Sequence, residues 1–364
     1  MSATPPNSSQ PLDGLPNYSN PREGRSVSFY VAIFLGLLLL VSGALNLLLL
    51  VVSAFGSAPA GVGGQVVEDD GVLYQLVAVA GDPDADASVL RVPISGAIAE
   101  AEAPLMGGAG GTVSQVARAL RVAATEPGIS AVLFDINSPG GGVTDSDEIW
   151  RMIREFKEAH DDVAVVAHMG DMAASGGYYI AAACDYIMAR PTTITGSIGV
   201  IISTYNYGDA LKELGIEAVS IISPDTPYKD ILSPTRPMLP EERAKIEAIV
   251  QEMYDRFVMV VNEGRPSLNR EEVKALATGE IYSAGQALEF GLVDAIKSSG
   301  EAFDHIAEMV DAESVRVLEH RRVPTFFDTL FQARGPEMTV ERAVGHLLQS
   351  TTGSKFLYYW PGGR

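Results

Sequence analysis

Cysteine is nearly missing. Cys184 stands alone among 364 residues, which excludes an internal disulfide. It sits in the apolar stretch Ile180-Ala181-Ala182-Ala183-Cys184 and reads as a small buried hydrophobe, not a reactive thiol. Basic residues are scarce too, 26 Lys and Arg against 46 Asp and Glu, for a formal charge of −20. A nucleic-acid binder neutralises phosphates with clustered cations, so the balance argues against that class of partner. The same deficit makes an anionic lipid surface a poor dock for the soluble part of the chain. The five histidines (His160, His168, His305, His320 and His346) are scattered and join no Cys/His cluster with zinc spacing. Neither a metal nor another cofactor is expected.

Charge disappears altogether from Phe29 to Phe55. Crossing a bilayer takes about 20 apolar residues, whereas a cleaved secretory signal has an apolar region of about 7–15. Residues 28–55 therefore read as an uncleaved transmembrane signal anchor, although Ser57-Ala58-Pro59-Ala60 resembles a cleavage site. Residues 1–27, rich in Pro, Ser and Asn, read as a disordered tail. Arg22 and Arg25 precede the span, and the next basic residue is Arg91. The positive-inside rule then puts the tail in the cytoplasm and the rest outside the plasma (inner) membrane.

What is present beyond the anchor is an α/β pattern. Residues 56–87, rich in Gly, Ala and Asp, read as a spacer with a short strand near Val72–Val79. The folded domain is expected over 88–311, and 312–364 as a C-terminal extension. Ser88–Ile94 reads as a strand. Thr112 can cap a helix to about Thr125, with Val113, Val116, Ala117 and Leu120 on one face. Ile129–Ile136 is the next strand, so strand, helix and strand form the βαβ unit of a parallel sheet. A helix from Asp145 to about His160 and the buried strand Val163–Ala167 follow. Further strands are expected at Asp185–Ala189 and Ala218–Ile222. Further helices are expected near Tyr207–Leu214, over 240–264, from Glu271, and up to about Val310.

Two glycine-rich strand ends carry the chemistry. The first is Asn137-Ser138-Pro139-Gly140-Gly141-Gly142, which leaves backbone N–H groups free to face a ligand. It is no Walker loop, since no Gly-Lys-Ser/Thr follows. The second is Met172-Ala173-Ala174-Ser175-Gly176-Gly177-Tyr178-Tyr179. A serine among small residues at a strand-to-helix turn is open to a carbonyl, and the helix N-terminus adds a positive partial charge. Alone, this octet reads equally well as a tight turn; two such ends in one sheet could supply two N–H donors to one oxyanion. Ser197 is a rival nucleophile, but Gly196-Ser197-Ile198 reads as a loop entering a strand, which suits a structural or substrate-lining role. His168 is expected at a strand end, packed and not catalytic.

Together these stretches, with Thr195-Gly196-Ser197-Ile198-Gly199-Val200, Tyr228-Lys229-Asp230 and Gly285 to Asp294, resemble the SppA-type signal peptide peptidases. These are membrane-anchored serine proteases of the crotonase/Clp superfamily, and the resemblance spans roughly residues 86–310. Without a duplicated catalytic half, the chain is similar to the short form. The resemblance implies repeated ββα units with a largely parallel sheet, and a homo-oligomeric ring. It implies Ser175 as nucleophile, Lys229 as general base, and an oxyanion hole from Gly176 and the Gly140–Gly141 pair, with Gly141 as the second donor. Gly177 and Ser197 are assigned to substrate binding. The dyad can be completed between protomers, and the substrates are apolar peptides such as remnant signal peptides.

A lysine base must be unprotonated, so its ordinary pKa of about 10.4 has to fall by several units. Ile231 and Leu232 suit that desolvation; Asp230 would oppose it and is expected to point away. Two other classes remain open: a crotonase-like acyl-CoA enzyme with a similar oxyanion hole, and a non-catalytic membrane scaffold. The stretch Phe356-Leu357-Tyr358-Tyr359-Trp360-Pro361 could dock in the chain's own substrate groove, pack on a neighbour, or be disordered.

Overall fold

Apolar residues without charge or proline leave the helix unopposed, and the first element follows from that. In the computed structural model, which describes residues 27–56, 66–69, 72–100, 111–323 and 356–359, helix α1 covers Val27–Gly56. Its stretch Ser28–Leu50 has a mean hydropathy of 2.6 and is long enough to cross a membrane. The expected tail at 1–27 lies, but for Val27, outside the described residues. The chain divides into a unit at Met1–Pro59 and a second at Ala60–Arg364.

The second unit opens with the hairpin of β1 (Val66–Asp69) and β2 (Val72–Gly81), then β3 (Ala87–Ser95) and α2 (Thr112–Thr125). β4 (Ile129–Ser138) leads through the short β5 (Gly140–Gly142) into α3 (Val143–Ala159), a ββα unit of the expected kind. β6 (Ala164–Ala174) leads into the six-residue helix α4 (Gly176–Ala181). Next come β7 (Tyr186–Ala189), β8 (Ile194–Gly196), β9 (Ile201–Ile202), α5 (Gly208–Glu213) and α6 (Pro240–Gly264). α7 (Arg270–Leu276), β10 (Ile281–Ser283), α8 (Ala284–Glu289), β11 (Ala295–Ile296), α9 (Ser299–Met309), β12 (Val315–Arg322) and β13 (Phe356–Tyr359) complete the order.

The main sheet runs β1-β2-β12-β3-β4-β6-β7-β11, with β8 beside the far end of β6 and β10 beside β8. From β12 to β11 every neighbour is parallel. Such strands are buried on both faces, so apolar residues run on without a polar alternate. On one face Leu90, Val132, Phe134 and Ile136 pack with Leu120 of α2, Ile149 and Ile153 of α3 and Phe257 of α6. On the other, Val89, Leu133 and Val166 meet Ala302 and Ile306 of α9. Each fully buried side chain of this size contributes about 1.5–3 kcal/mol, and this core fixes where the strand ends stand.

Two expectations change. The spacer and the extension both feed the sheet: β2 pairs antiparallel with β12, and β12 lies parallel to β3. Partners this far apart in sequence leave no local sign of their pairing. Ala218–Ile222 forms no strand; its β-branched composition suggested one, yet Ile221 is 95% exposed and no strand among the described residues pairs with it.

Candidate functional site

Ser175 is the joint between the end of β6 and the first turn of α4. Its backbone sits at φ 53° and ψ −115°, a region that costs a non-glycine residue about 1–3 kcal/mol and persists only where the surroundings over-determine it. They do so here. The Ser175 N–H donates to the Gly196 carbonyl at 2.8 Å, and the Ser175 carbonyl accepts from the Tyr179 N–H at 2.9 Å. β8 is laid along Met172–Ala174, and Thr195 Oγ1 donates to the Ala173 carbonyl at 2.6 Å. Below, Tyr178 Oη donates to the Leu292 carbonyl at 2.8 Å. Tyr179 is hydrogen-bonded to Asp147, which also accepts from Arg256 Nε at 2.9 Å. Ser175 is only 1% exposed.

The glycine strand ends meet at this joint. A Cβ on Gly176 would lie 2.6 Å from Ser146 Oγ and 3.2 Å from both Gly140 Cα and Gly141 N, so only glycine lets α4 start against β5. On the other side of β5, a Cβ on Gly141 would strike the Ile98 carbonyl at 1.9 Å. That contact is a parallel bridge: Ile98 N–H donates to the Gly140 carbonyl at 3.0 Å, and Gly142 N–H to the Ile98 carbonyl at 2.9 Å. Backbone alternation therefore turns the N–H of Gly141 away from Ile98, and α4 presents the N–H groups of its first turn nearby. Ser138 shapes the bend, its hydroxyl donating to the Gly96 carbonyl at 2.6 Å and accepting from Gly140 N–H at 3.1 Å. Gly177 packs on the Ser138 carbonyl. Ser197, buried and at φ 50°, directly follows the Gly196 that holds Ser175. The fold thus brings together Ser175, Gly140, Gly141, Gly176, Gly177 and Ser197, the residues singled out from the sequence.

Lys229 stands apart. It is exposed, as is most of 203–229, and makes no hydrogen bond to Ser175 among the described residues. Its neighbours in sequence are fixed instead. Lys245 Nζ of α6 lies 4.6 Å from the centre of the Tyr228 ring. Arg236 grips the Asp230 carboxylate from Nε at 2.9 Å and from Nη2 at 2.8 Å, and Nη1 reaches the buried Glu242 at 2.8 Å. The hydrogen bonds from Arg236 hold the carboxyls of Asp230 and Glu242 below the usual carboxylate range. Asp230 therefore turns to Arg236 and leaves Lys229 alone, as its expected role required. Among the described residues nothing supplies the burial expected of Lys229.

His168 lies within β6 and not at its end, and is 3% exposed. Its Nε2 is 3.2 Å from the Lys297 carbonyl and its Nδ1 is 3.9 Å from Asp135. Burial pushes it below the ordinary histidine range, against the Lys297 carbonyl and Asp135. Ile98, Ser146 and Arg236 were missed from sequence: each acts through a partner on another element or several residues away, and none belongs to a local motif. Among the described residues no three His, Cys, Asp or Glu side chains converge as a metal site would need.

Residues 157–313 match the model of Peptidase family S49. A provisionally named protease of Synechocystis sp. is 39% identical over 229 residues, 63% of this chain and 76% of the relative. A provisionally named signal peptide peptidase SppA of Enterococcus faecium is 40% identical over 199 residues, 55% of this chain and 56% of the relative. Among solved structures, a mutant of the membrane-bound stomatin-specific protease 1510-N with a substrate peptide aligns with a TM-score of 0.41. Its identity is 18%, covering 68% of this chain and 97% of that one.

Proposed function

The chain belongs to peptidase family S49, and from that premise we propose that it is a membrane-anchored serine endopeptidase that cuts apolar peptides, such as remnant signal peptides, with Ser175 and Lys229. The observation that carries this reading is the strained turn of Ser175 packed against the Gly140–Gly141 strand. In this reading Lys229 takes the proton of Ser175 Oγ as Oγ attacks the scissile carbonyl, then gives it to the leaving amine. The N–H groups of Gly141 and Gly176 receive the oxyanion, and losing one such donor would cost roughly 3 kcal/mol of barrier lowering. Water then releases the acyl group from Ser175. Gly177 and Ser197 line the peptide.

A base in this role needs desolvation, and the exposed Lys229 gains it in this reading from a second copy of the chain. Tyr205, Leu214, Ile216, Val219 and Ile221 are all more than half exposed, the kind of apolar surface that marks an interaction site. A homo-oligomeric ring would cover them and bring the lysine of one protomer to the serine of the next. α1 anchors the assembly, with the peptidase unit extracytoplasmic, where signal remnants are left in the membrane.

The test is hydrolysis of an apolar fluorogenic peptide by wild type, Ser175→Ala and Lys229→Ala. Each variant is expected to lose at least about 10³-fold in kcat. Mixing and reassembling the two variants should restore about a quarter of wild-type activity, the share of random interfaces that hold both intact groups. A Lys229→Ala enzyme with most of its activity would remove the dyad.

A further inference from the structure

β12 and β3 run side by side in parallel only as far as Glu319 and Arg91. Beyond that point β3 stays with β4 to Ser95, and β12 stays with β2 to Arg322. The two strands therefore part at their carboxyl ends, the end at which open α/β sheets take ligands. There β3 carries Pro93, which has no N–H to give to a ladder, and the Pro93 carbonyl accepts from Gln115 Nε2 of α2 at 2.8 Å. The gap is a cavity of about 410 Å³ lined by the two strands, α2 and Tyr74, a volume that suits a small ligand.

Its lining reverses the charge of the chain. The sequence has 26 basic against 46 acidic residues. Among the described residues, the cavity gathers Arg91, Arg118, Arg321, Arg322 and His320 around a single acid, Glu319. These groups come from three elements, and several are fixed in place. Arg91 donates through Nε to Asp135 at 2.9 Å and through Nη1 to Glu319 at 3.4 Å; Arg321 Nε donates to Glu319 at 3.1 Å. Tyr74, the register partner of Arg322, is stacked on His320 with ring centres 4.6 Å apart. Arg118 Cζ lies 5.3 Å from the centre of the same tyrosine ring. A concave site lined by one sign of charge concentrates ions of the other.

We propose that this cavity is a binding site for a phosphate group, free or carried on a small molecule or lipid. Guanidiniums present paired N–H donors that match phosphate oxygens. A carboxylate offers two oxygens in one plane and a single charge, and Glu319 already fills that role between Arg91 and Arg321. A phosphate monoester turns three oxygens outward and carries more than one charge at neutral pH, which suits donors converging from α2, β3 and β12. Ser175 does not line the cavity, so the site is independent of peptide cleavage.

Titration calorimetry on the full chain in a neutral, phosphate-free detergent tests this, with inorganic phosphate, glycerol phosphate, dihexanoyl phosphatidylglycerol and acetate as probes. A phosphate compound is expected to bind with a Kd of about 1 mM or below at low salt, and acetate at least about tenfold more weakly. Tighter binding of the lipid than of the two soluble phosphates would assign the group to a headgroup, and the reverse order to a soluble phosphate. Arg118→Gln with Arg322→Gln should weaken binding about tenfold. Arg243→Gln, on the exposed side of α6, should leave it unchanged. Arg118→Gln alone, with a loss of about threefold, replaces the double variant if that chain shows no cooperative unfolding. Failure of every phosphate compound to bind, acetate bound equally well, or an affinity that the Arg118 and Arg322 variants leave unchanged overturns the proposal.

Discussion

The turn that carries Ser175 and the segment that carries Lys229 are built on opposite terms. The first is buried, strained and held by hydrogen bonds from β8, α4 and the elements beneath. The second is exposed; of the residues flanking the lysine, Tyr228 lies under Lys245 of α6 and Asp230 is held by Arg236, itself bonded to Glu242 of α6, while the lysine itself is left open. A nucleophile and its oxyanion donors must be preorganised to a fraction of an ångström, and one chain can do that by packing. A lysine base instead needs water removed from around it, and a surface segment achieves that only when something covers it. The two halves of the proposed chemistry would then depend on different levels of organisation, tertiary for one and quaternary for the other.

The sharpest way to break this contrast is to loosen the rigid half. Gly176→Ala forces a methyl group into Ser146, Gly140 and Gly141, so α4 must back away from β5. Activity on an apolar peptide should fall about 10²–10³-fold, and thermal unfolding should show a loss of about 1–3 kcal/mol. A smaller effect is expected from the other half. Arg236→Lys keeps the charge but gives up the fork on Asp230 and Glu242, and Lys is a poor substitute at such a site. With the lysine segment less well tied, kcat should drop about tenfold while the assembly persists by light scattering; an unchanged kcat would show that Asp230 does not position Lys229.

Much of this could be read before any coordinates. Ser175, Gly140, Gly141 and Gly176 are legible because small residues at strand ends form contiguous motifs, and the helices of the core show in their apolar spacing. What escaped lay in long-range pairing. β2 and β12 lie on either side of the expected domain and meet only in the sheet. The strand expected at Ala218–Ile222 failed because an apolar, β-branched run looks the same whether it pairs within its own chain or lies exposed on its surface. Arg236 was invisible for another reason: a lone arginine in a polar stretch has no pattern until its two carboxylate partners are seen.

The smallest effect expected separates packing from catalysis at His168. Its pKa is depressed by burial in the folded chain, while the unfolded chain has the ordinary value of about 6.5. It therefore contributes stability that is present above about pH 6.5 and is lost as pH falls through the lower folded value. His168→Gln should flatten the fall in Tm between pH 7.5 and 5.5 by a few degrees or less, with peptidase activity at pH 8 kept. Loss of that activity without loss of Tm would return His168 to the reaction.

The backbone at Ser175 also limits which atoms this fold could use for attack. At φ 53° a β-branched side chain crowds its own main chain, so threonine is barred although it carries the same hydroxyl. Cysteine has a single heavy atom on Cβ and fits the same turn. The scaffold can therefore exchange oxygen for sulfur more readily than it can tolerate one added methyl group, and shape, before reactivity, would set the alphabet of the proposed nucleophile.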